Sequence, residues 1–273
     1  MKKKIRLLFS LCCIVTAVRA GNEPFSASAR SNAMGGTGIT LTDMFAVFNN
    51  QASMAFVKDV TAGIFTERRF MMSELGYHAG GVVLPTRSGV FGLSAAYAGF
   101  DVYNEKKAGL SYARLFSKHI SGGIQFDYLG TSIAEYGNAA AFTIEAGLLV
   151  KITDKFSTGA HVFNPVRVNA GFADNKIPTT LKLGVSYEAS DKVWLAAEAK
   201  KDIDKAAQFC AGIEYRMIDA FHLRAGFQTN PAMYTFGAGI NIQQLRIDLA
   251  TTYHQVLGVS PQIAVSYAFA KKK

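Results

Sequence analysis

The chain is short of three things, and each shortage excludes something. Of its 273 residues only Cys12, Cys13 and Cys210 are cysteine. The first two sit in a leader that export removes, so Cys210 stands alone in the mature chain and no internal disulfide can form. Beyond Val18 there is no apolar run near the roughly 20 residues a membrane-spanning helix needs, although 49% of the chain is hydrophobic. That leaves two classes, a soluble exported protein or a membrane β-barrel. Basic patches interleaved with aromatics are missing too. The formal charge of +9 falls to +4 once Lys2, Lys3, Lys4, Arg6 and Arg19 are removed, and three of the remaining cations are the tail Lys271, Lys272 and Lys273. Nucleic acid is therefore not an expected partner.

What is present begins with "MKKKIRLLFSLCCIVTAVRA". A basic start, an apolar run from Leu7 to Val18, and Val18 and Ala20 before the cut describe a secretory signal peptide over residues 1–20, cleaved near Ala20. The alternative, a retained anchor helix, needs a longer run. A lipoprotein site fails because Leu11 precedes Cys12 and Cys12 precedes Cys13.

From about Val60 onward apolar residues alternate with polar or small ones, the period of a β-strand. "LRIDLATTYHQ" sets Leu245, Ile247, Leu249, Thr251 and Tyr253 against Arg246, Asp248, Ala250, Thr252 and His254. Ile144, Leu148 and Val150 likewise oppose Glu145 and Gly147, while Leu181, Leu183 and Val185 oppose Lys182 and Gly184. In "VWLAAEAK" Trp194 falls on the polar side with Glu198 and Lys200. About fourteen such segments recur, centred near Ile64, Ala79, Leu93, Leu110, Ile124, Ala146, Ala160, Val185, Ala197, Ala211, Ala225, Gly239, Leu249 and Val265. Short turns, such as residues 86–89, 153–155 and 242–244, alternate with longer loops expected at 130–138, 164–178 and 229–234.

A soluble β-sandwich alternates as well. Its charged face, however, would be lysine-rich, whereas here that face mixes Gly109, Gly123, Gly147, Gly184, Gly212 and Gly226 with single charges of both signs. Such a face suits a narrow lumen whose facing walls must fit together. The apolar face ends in aromatics, among them Tyr97, Tyr112, Phe126, Tyr128, Tyr187, Tyr215 and Phe269, as an interfacial girdle would. The expected fold is all-β, an antiparallel transmembrane β-barrel of about 14 strands over residues 59–273. Its lumen would carry Glu145, Lys182, Glu198, Glu214, Arg216, Arg224, Arg246, Asp248 and His254. The pairs Glu214 with Arg216, and Arg246 with Asp248, read either as braces or as a substrate path.

Residues 21–58 do not alternate. Glycines 35, 36 and 38, an apolar stretch from Met44 to Phe48 and "NNQAS" precede the first strand, and the segment is long enough to fold into the lumen as a plug or hatch. A periplasmic extension packed at the barrel base is the alternative.

"ARSNAMGGTGITLTDMFAVFNNQASMAF" resembles the leader of the long-chain fatty acid transporter superfamily of outer-membrane proteins, in particular its PorV/PorQ branch in Bacteroidetes. Met34, Gly35 and Gly36 match its Met-Gly-Gly element, Asp43 its acidic helix, and Asn50, Gln51 and Ala52 its Asn-Pro-Ala step, with Gln51 in place of proline. The strand count and the closing "YHQVLGVSPQIAVSYAF" extend the resemblance over the mature chain. It implies a site in the outer membrane of a Gram-negative bacterium, with lipid around it. It also implies either transport of a small hydrophobic ligand, contacted by Met44, Phe45, Val47 and Phe48 of a hatch that includes Asn49, or partnership with type IX secretion-system proteins. A purely structural barrel is the third reading.

Nothing points to catalysis. His78, His119, His161, His222 and His254 lack metal-ligand spacing, and "GGTG" lacks the lysine and hydroxyl of a phosphate loop. No catalytic residue, metal or cofactor is expected.

Overall fold

The computed structural model describes residues 26–169 and 177–269. The signal peptide, its cleavage point and the basic tail lie outside them. Fourteen strands follow in sequence: β1 (Val60–Arg68), β2 (Gly76–Pro85), β3 (Val90–Gly99), β4 (Tyr103–Leu115), β5 (Ile120–Ile133), β6 (Gly137–Lys151), β7 (Phe156–Phe163), β8 (Thr180–Ser190), β9 (Val193–Asp202), β10 (Gln208–Ile218), β11 (Phe221–Gln228), β12 (Met233–Ile242), β13 (Leu245–His254) and β14 (Gly258–Phe269). Every expected strand centre falls inside one of them. Each strand pairs antiparallel with its neighbours in the chain, and β1 pairs with β14, Ile64 opposite Val265, so the sheet closes. Closure gives every strand a partner on both sides, although β6 residues 137–144 run on beyond its last pair with β7, Glu145 opposite Phe163; a closed sheet can sit in a medium that offers no hydrogen bonds.

The outward face decides between sandwich and membrane barrel. Ile64 is 66% exposed, Leu93 52%, Leu110 57% and Ile124 63%, with Phe126, Phe142, Leu183 and Phe236 exposed beside them. A soluble monomer does not leave a belt of that extent in water, so lipid is the solvent that fits it. Phe126 stacks on Phe142, their ring centres 5.6 Å apart, which stiffens the belt across β5 and β6. No helix among the described residues is long and apolar enough to cross a membrane; the strands make the crossing.

The turns at the end holding the entry to β1 and the exit from β14 span two to four residues. The opposite, far end carries the three longest connections, residues 69–75, 164–179 and 203–207, but its other four span three or four residues, and two of these are tighter than the sequence suggests. Residues 130–138 are mostly strand, because β5 runs to Ile133 and β6 resumes at Gly137, with Glu135 at φ 67° turning the chain. Pairing of Thr131 with Ala139 and Ser132 with Asn138 outweighs the turn-like composition there. Residues 229–234 shrink likewise, since β12 begins at Met233.

Candidate functional site

Residues 26–57 run inside the barrel. Helix α1 (Ala29–Ala33) is capped by Ser28, whose hydroxyl accepts from Ser31 N at 3.2 Å. Gly35 and Gly36, at φ 71° and 84°, turn the chain in the left-handed region that favours glycine. Gly35 N donates to Thr235 Oγ1 at 2.8 Å, and a Cβ on Gly35 would overlap the carbonyls of Phe227 and Ala211. Helix α2 (Ala46–Asn49) and a 3-10 turn (Gln51–Phe56) then lead to the wall. Asp43 precedes α2, its Oδ1 accepting from Phe45 N at 3.0 Å.

The glycines on the inward face serve this segment rather than the opposing wall. A Cβ on Gly212 would overlap Met34, one on Gly147 would overlap Asn50, and one on Gly184 would lie on Ile39. Gly123 faces Gln51 and Ala52, Gly226 faces Met34 and Gly35, and Gly63 and Gly81 face Met44. Of the six inward glycines noted in the sequence, Gly109 alone has no nearest neighbour in this segment, facing instead the wall side chains of Ser94, Gln125 and Asp127. Alternation showed that the face was small; it could not show that a chain segment fills it.

The interior has two chemical sides. Met44, Phe45, Val47, Phe48 and Met54, all at most 3% exposed, pack with Phe65, Tyr77, Ala79, Val83, Val90, Ala96 and Ala264. These wall residues extend from Val83 and Val90, near the terminal end, to Tyr77 and Phe65, near the far end. The result is an apolar seam along the length of β1–β3. Burying each large side chain there contributes roughly 1.5–3 kcal/mol. The hatch residues expected to meet a ligand are thus in contact with the wall.

Opposite the seam the contacts are ionic. Arg30 binds Glu214 through Nη2–Oε1 at 2.7 Å and Nε–Oε2 at 2.8 Å, and reaches Asp43 at 3.4 Å. Glu214 also accepts from Arg224 Nε at 2.6 Å, Arg224 Nη1 lies 2.7 Å from Asp248, and Asp248 accepts from Arg246 Nε at 2.7 Å. Arg216, expected beside Glu214, is at the rim: 3.9 Å from Glu214 and closer, at 3.1 Å, to Glu188. Trp194 does face inward, 5.7 Å from the Arg30 guanidinium. A second cluster joins β4–β7. Lys107 pairs with Glu145, which also accepts from Gln51 Nε2 at 2.8 Å and contacts His161 Nε2 at 2.8 Å; Asp127 is 3.5 Å from Lys107.

Glu198 holds the inner segment by its backbone, accepting from Gly38 N at 2.9 Å and Ile39 N at 3.1 Å. Lys182 is buried between His161 and Lys200 in the ladder. His254 lies at the far rim, where Nδ1 accepts from Val256 N and Leu257 N at 3.2 and 3.1 Å. Asn49 accepts from Ser26 Oγ at 2.6 Å, and Asn50 Nδ2 donates to Ile39 O at 2.9 Å. Sequence reading passed over Arg30, Lys107 and Asp127. The last two fall at inward positions of the alternation, so the pattern could have found them, whereas Arg30 lies in a segment with no period to read.

No protein-family model matches the sequence, and no curated protein does either. Solved structures do match. The toluene transporter TbuX of Ralstonia pickettii superposes with a TM-score of 0.71 at 14% identity, over 88% of this chain and 97% of its own. The toluene transporter TodX of Pseudomonas putida gives 0.69 at 14% identity, over 91% and 99%. A FadL homologue of Pseudomonas aeruginosa gives 0.67 at 14% identity, over 92% and 100%. The chain is a closed fourteen-stranded β-barrel. Its particular likeness is to the barrel fold these transporters share.

Proposed function

We propose that the chain is an outer-membrane barrel of a Gram-negative bacterium, exported by residues 1–20, which passes small hydrophobic compounds when residues 21–58 shift as a hatch within the barrel of residues 59–273. The observation that carries this reading is the apolar seam between Met44, Phe45, Val47 and Phe48 and the wall of β1–β3. A barrel serving polar solutes has a polar interior; a seam of this kind suits a solute that water rejects. The shared fold with toluene transporters supports the same class of cargo, and the short turns at the terminal end suit a periplasmic orientation.

The test is initial uptake of radiolabelled toluene by Gram-negative cells with an intact outer membrane, with and without the protein. A raised rate, increased further when Phe45 and Phe48 are replaced by alanine, is the expected result. An unchanged rate with folded, inserted protein sinks the reading.

A second reading rests on the far rim, where Met71, Met72, Leu75, Val256 and Leu257 are exposed. Such loop tips suit a dock for exported proteins, in the manner of the PorV/PorQ branch and type IX secretion. Stoichiometric co-purification of a secreted protein or a secretion subunit, with no uptake effect, would favour it.

A further inference from the structure

The signs of the charges on the two faces of the wall are not shared out evenly. All nine carboxylates of the described strands, Glu67, Glu105, Asp127, Glu145, Glu188, Glu198, Asp202, Glu214 and Asp248, occupy inward positions of the alternation. The outward positions carry Arg68, His78, Lys106, Arg114 and Lys201, all of them exposed, and no carboxylate. A surface facing only lipid tails would carry neither sign, and one facing water would mix them. A face with basic side chains and no acidic ones, placed at the borders of an apolar belt, matches an anionic layer.

Arg68, Lys106 and the imidazole of His78 gather at the far end of β1–β4. Thr66 pairs with His78, His78 with Tyr97, and Tyr97 with Lys106, so the four form one outward row across four strands. The row lies one pleat beyond the apolar row of Ile64, Gly80, Ala95 and Ala108, with Arg68 one pleat further out. The Thr66 hydroxyl engages His78 Nδ1 at 2.9 Å. Neither Lys106 nor His78 Nε2 has a hydrogen-bond partner among the described residues, and Lys106 has no ion pair. Glu74, in the loop between β1 and β2, has its carboxyl held below the ordinary range by its own backbone N–H and Ser73, with Arg68 adding to the effect. His78 and Lys106 are two strand spacings apart, about 10 Å, a separation that a headgroup with two phosphates can bridge.

We propose that Arg68, His78 and Lys106, with Tyr97 between them, form an outward site for the phosphate groups of a lipid headgroup in the leaflet at the far end of the barrel. Tyr97 is the amphipathic ring expected at that depth, and each cation near an anionic surface adds attraction. The inference rests on the membrane reading but not on any cargo.

The experiment uses the folded, detergent-solubilised full chain and native mass spectrometry. The probes are diphosphorylated lipid A and the same lipid after enzymatic removal of its phosphates. Wild-type protein should retain the phosphorylated form selectively. The double variant Arg68→Gln with Lys106→Gln should bind it about thirtyfold more weakly, while Arg114→Gln, at the opposite end, should bind as wild type. Equal retention of the phosphate-free lipid, or unchanged binding by the double variant, overturns the proposal. Failure of the barrel to insert into membranes at all would instead strike the reading beneath it.

Discussion

Arg30 and Glu214 meet two oxygens to two nitrogens across the lumen, 2.7 and 2.8 Å apart, with the glutamate 1% exposed and on the wall and the arginine on the inner segment. That fork joins two parts of the chain that the sequence separates by 184 positions. Bidentate guanidinium–carboxylate pairs are directional as well as strong. The inner segment is therefore fixed in rotation about the barrel axis as well as held inside.

Removing Glu214 should cost far more than removing the neighbour that sequence alone pairs with it. Glu214→Ala takes the bidentate partner from Arg30, leaving it Asp43 at 3.4 Å, and one of two carboxylates from Arg224 in a buried site, an effect on the order of 3–5 kcal/mol. Arg216→Ala affects a half-exposed rim contact, worth about 0–1 kcal/mol. Heat-induced unfolding followed by circular dichroism should separate the two variants clearly. Equal shifts would mean that the Arg30–Glu214–Arg224 cluster does not carry the load assigned to it.

The wall was legible because one physical rule writes it. Lipid on one side and a packed interior on the other force a period of two, so Leu245 to His254 announces its own faces. The filling obeys no such rule. Met34 is placed by Gly212 and Gly226, Asn50 by Gly147, and Arg30 by Glu214, contacts between residues far apart in the sequence that leave no periodic trace. The inward glycines were visible as small positions, but smallness alone suggested walls that meet each other. The resemblance in "SNAMGG" and "NNQAS" located the segment; it took three-dimensional contacts to turn motif into mechanism, with Gly35 chosen for its close approach to β10 and β11.

That account of the glycines is itself testable. In Gly212→Val the new side chain occupies space that Met34 already fills, so the barrel should close while the inner segment is displaced. Gly80 is the control: it points outward, and a Cβ there would lie 3.4 Å from Gly63 O and 3.5 Å from Ile64 Cγ2. In membranes, limited proteolysis should clip residues 26–57 in Gly212→Val and spare them in Gly80→Ala, and single-channel recordings should show added conductance only in the former. Protection of the segment in both variants would show that the glycines are not there to seat it.

Gln51 stands where the resemblance expects proline, and the structure explains what the glutamine does instead. Its Nε2 donates to Glu145 Oε2 at 2.8 Å and to Val47 O at 3.2 Å, tying the 3-10 turn to the cluster of Lys107, Asp127 and His161. The backbone would accept either residue. Asn50 is extended, φ −158° and ψ 107°, as a residue before proline should be, and position 51 opens the turn, where a missing N–H is tolerated. Gln51→Pro should therefore keep its inner segment and lose only the side-chain bonds, about 1–3 kcal/mol. Glu145→Gln should cost more, since it leaves Lys107 with Asp127 alone. Thermal unfolding ranks the two, and proteolysis reports whether the segment stays inside. Expulsion of the segment by Gln51→Pro would mean that the bond to Glu145, and not the shape of the glycine-lined lumen, is what holds it.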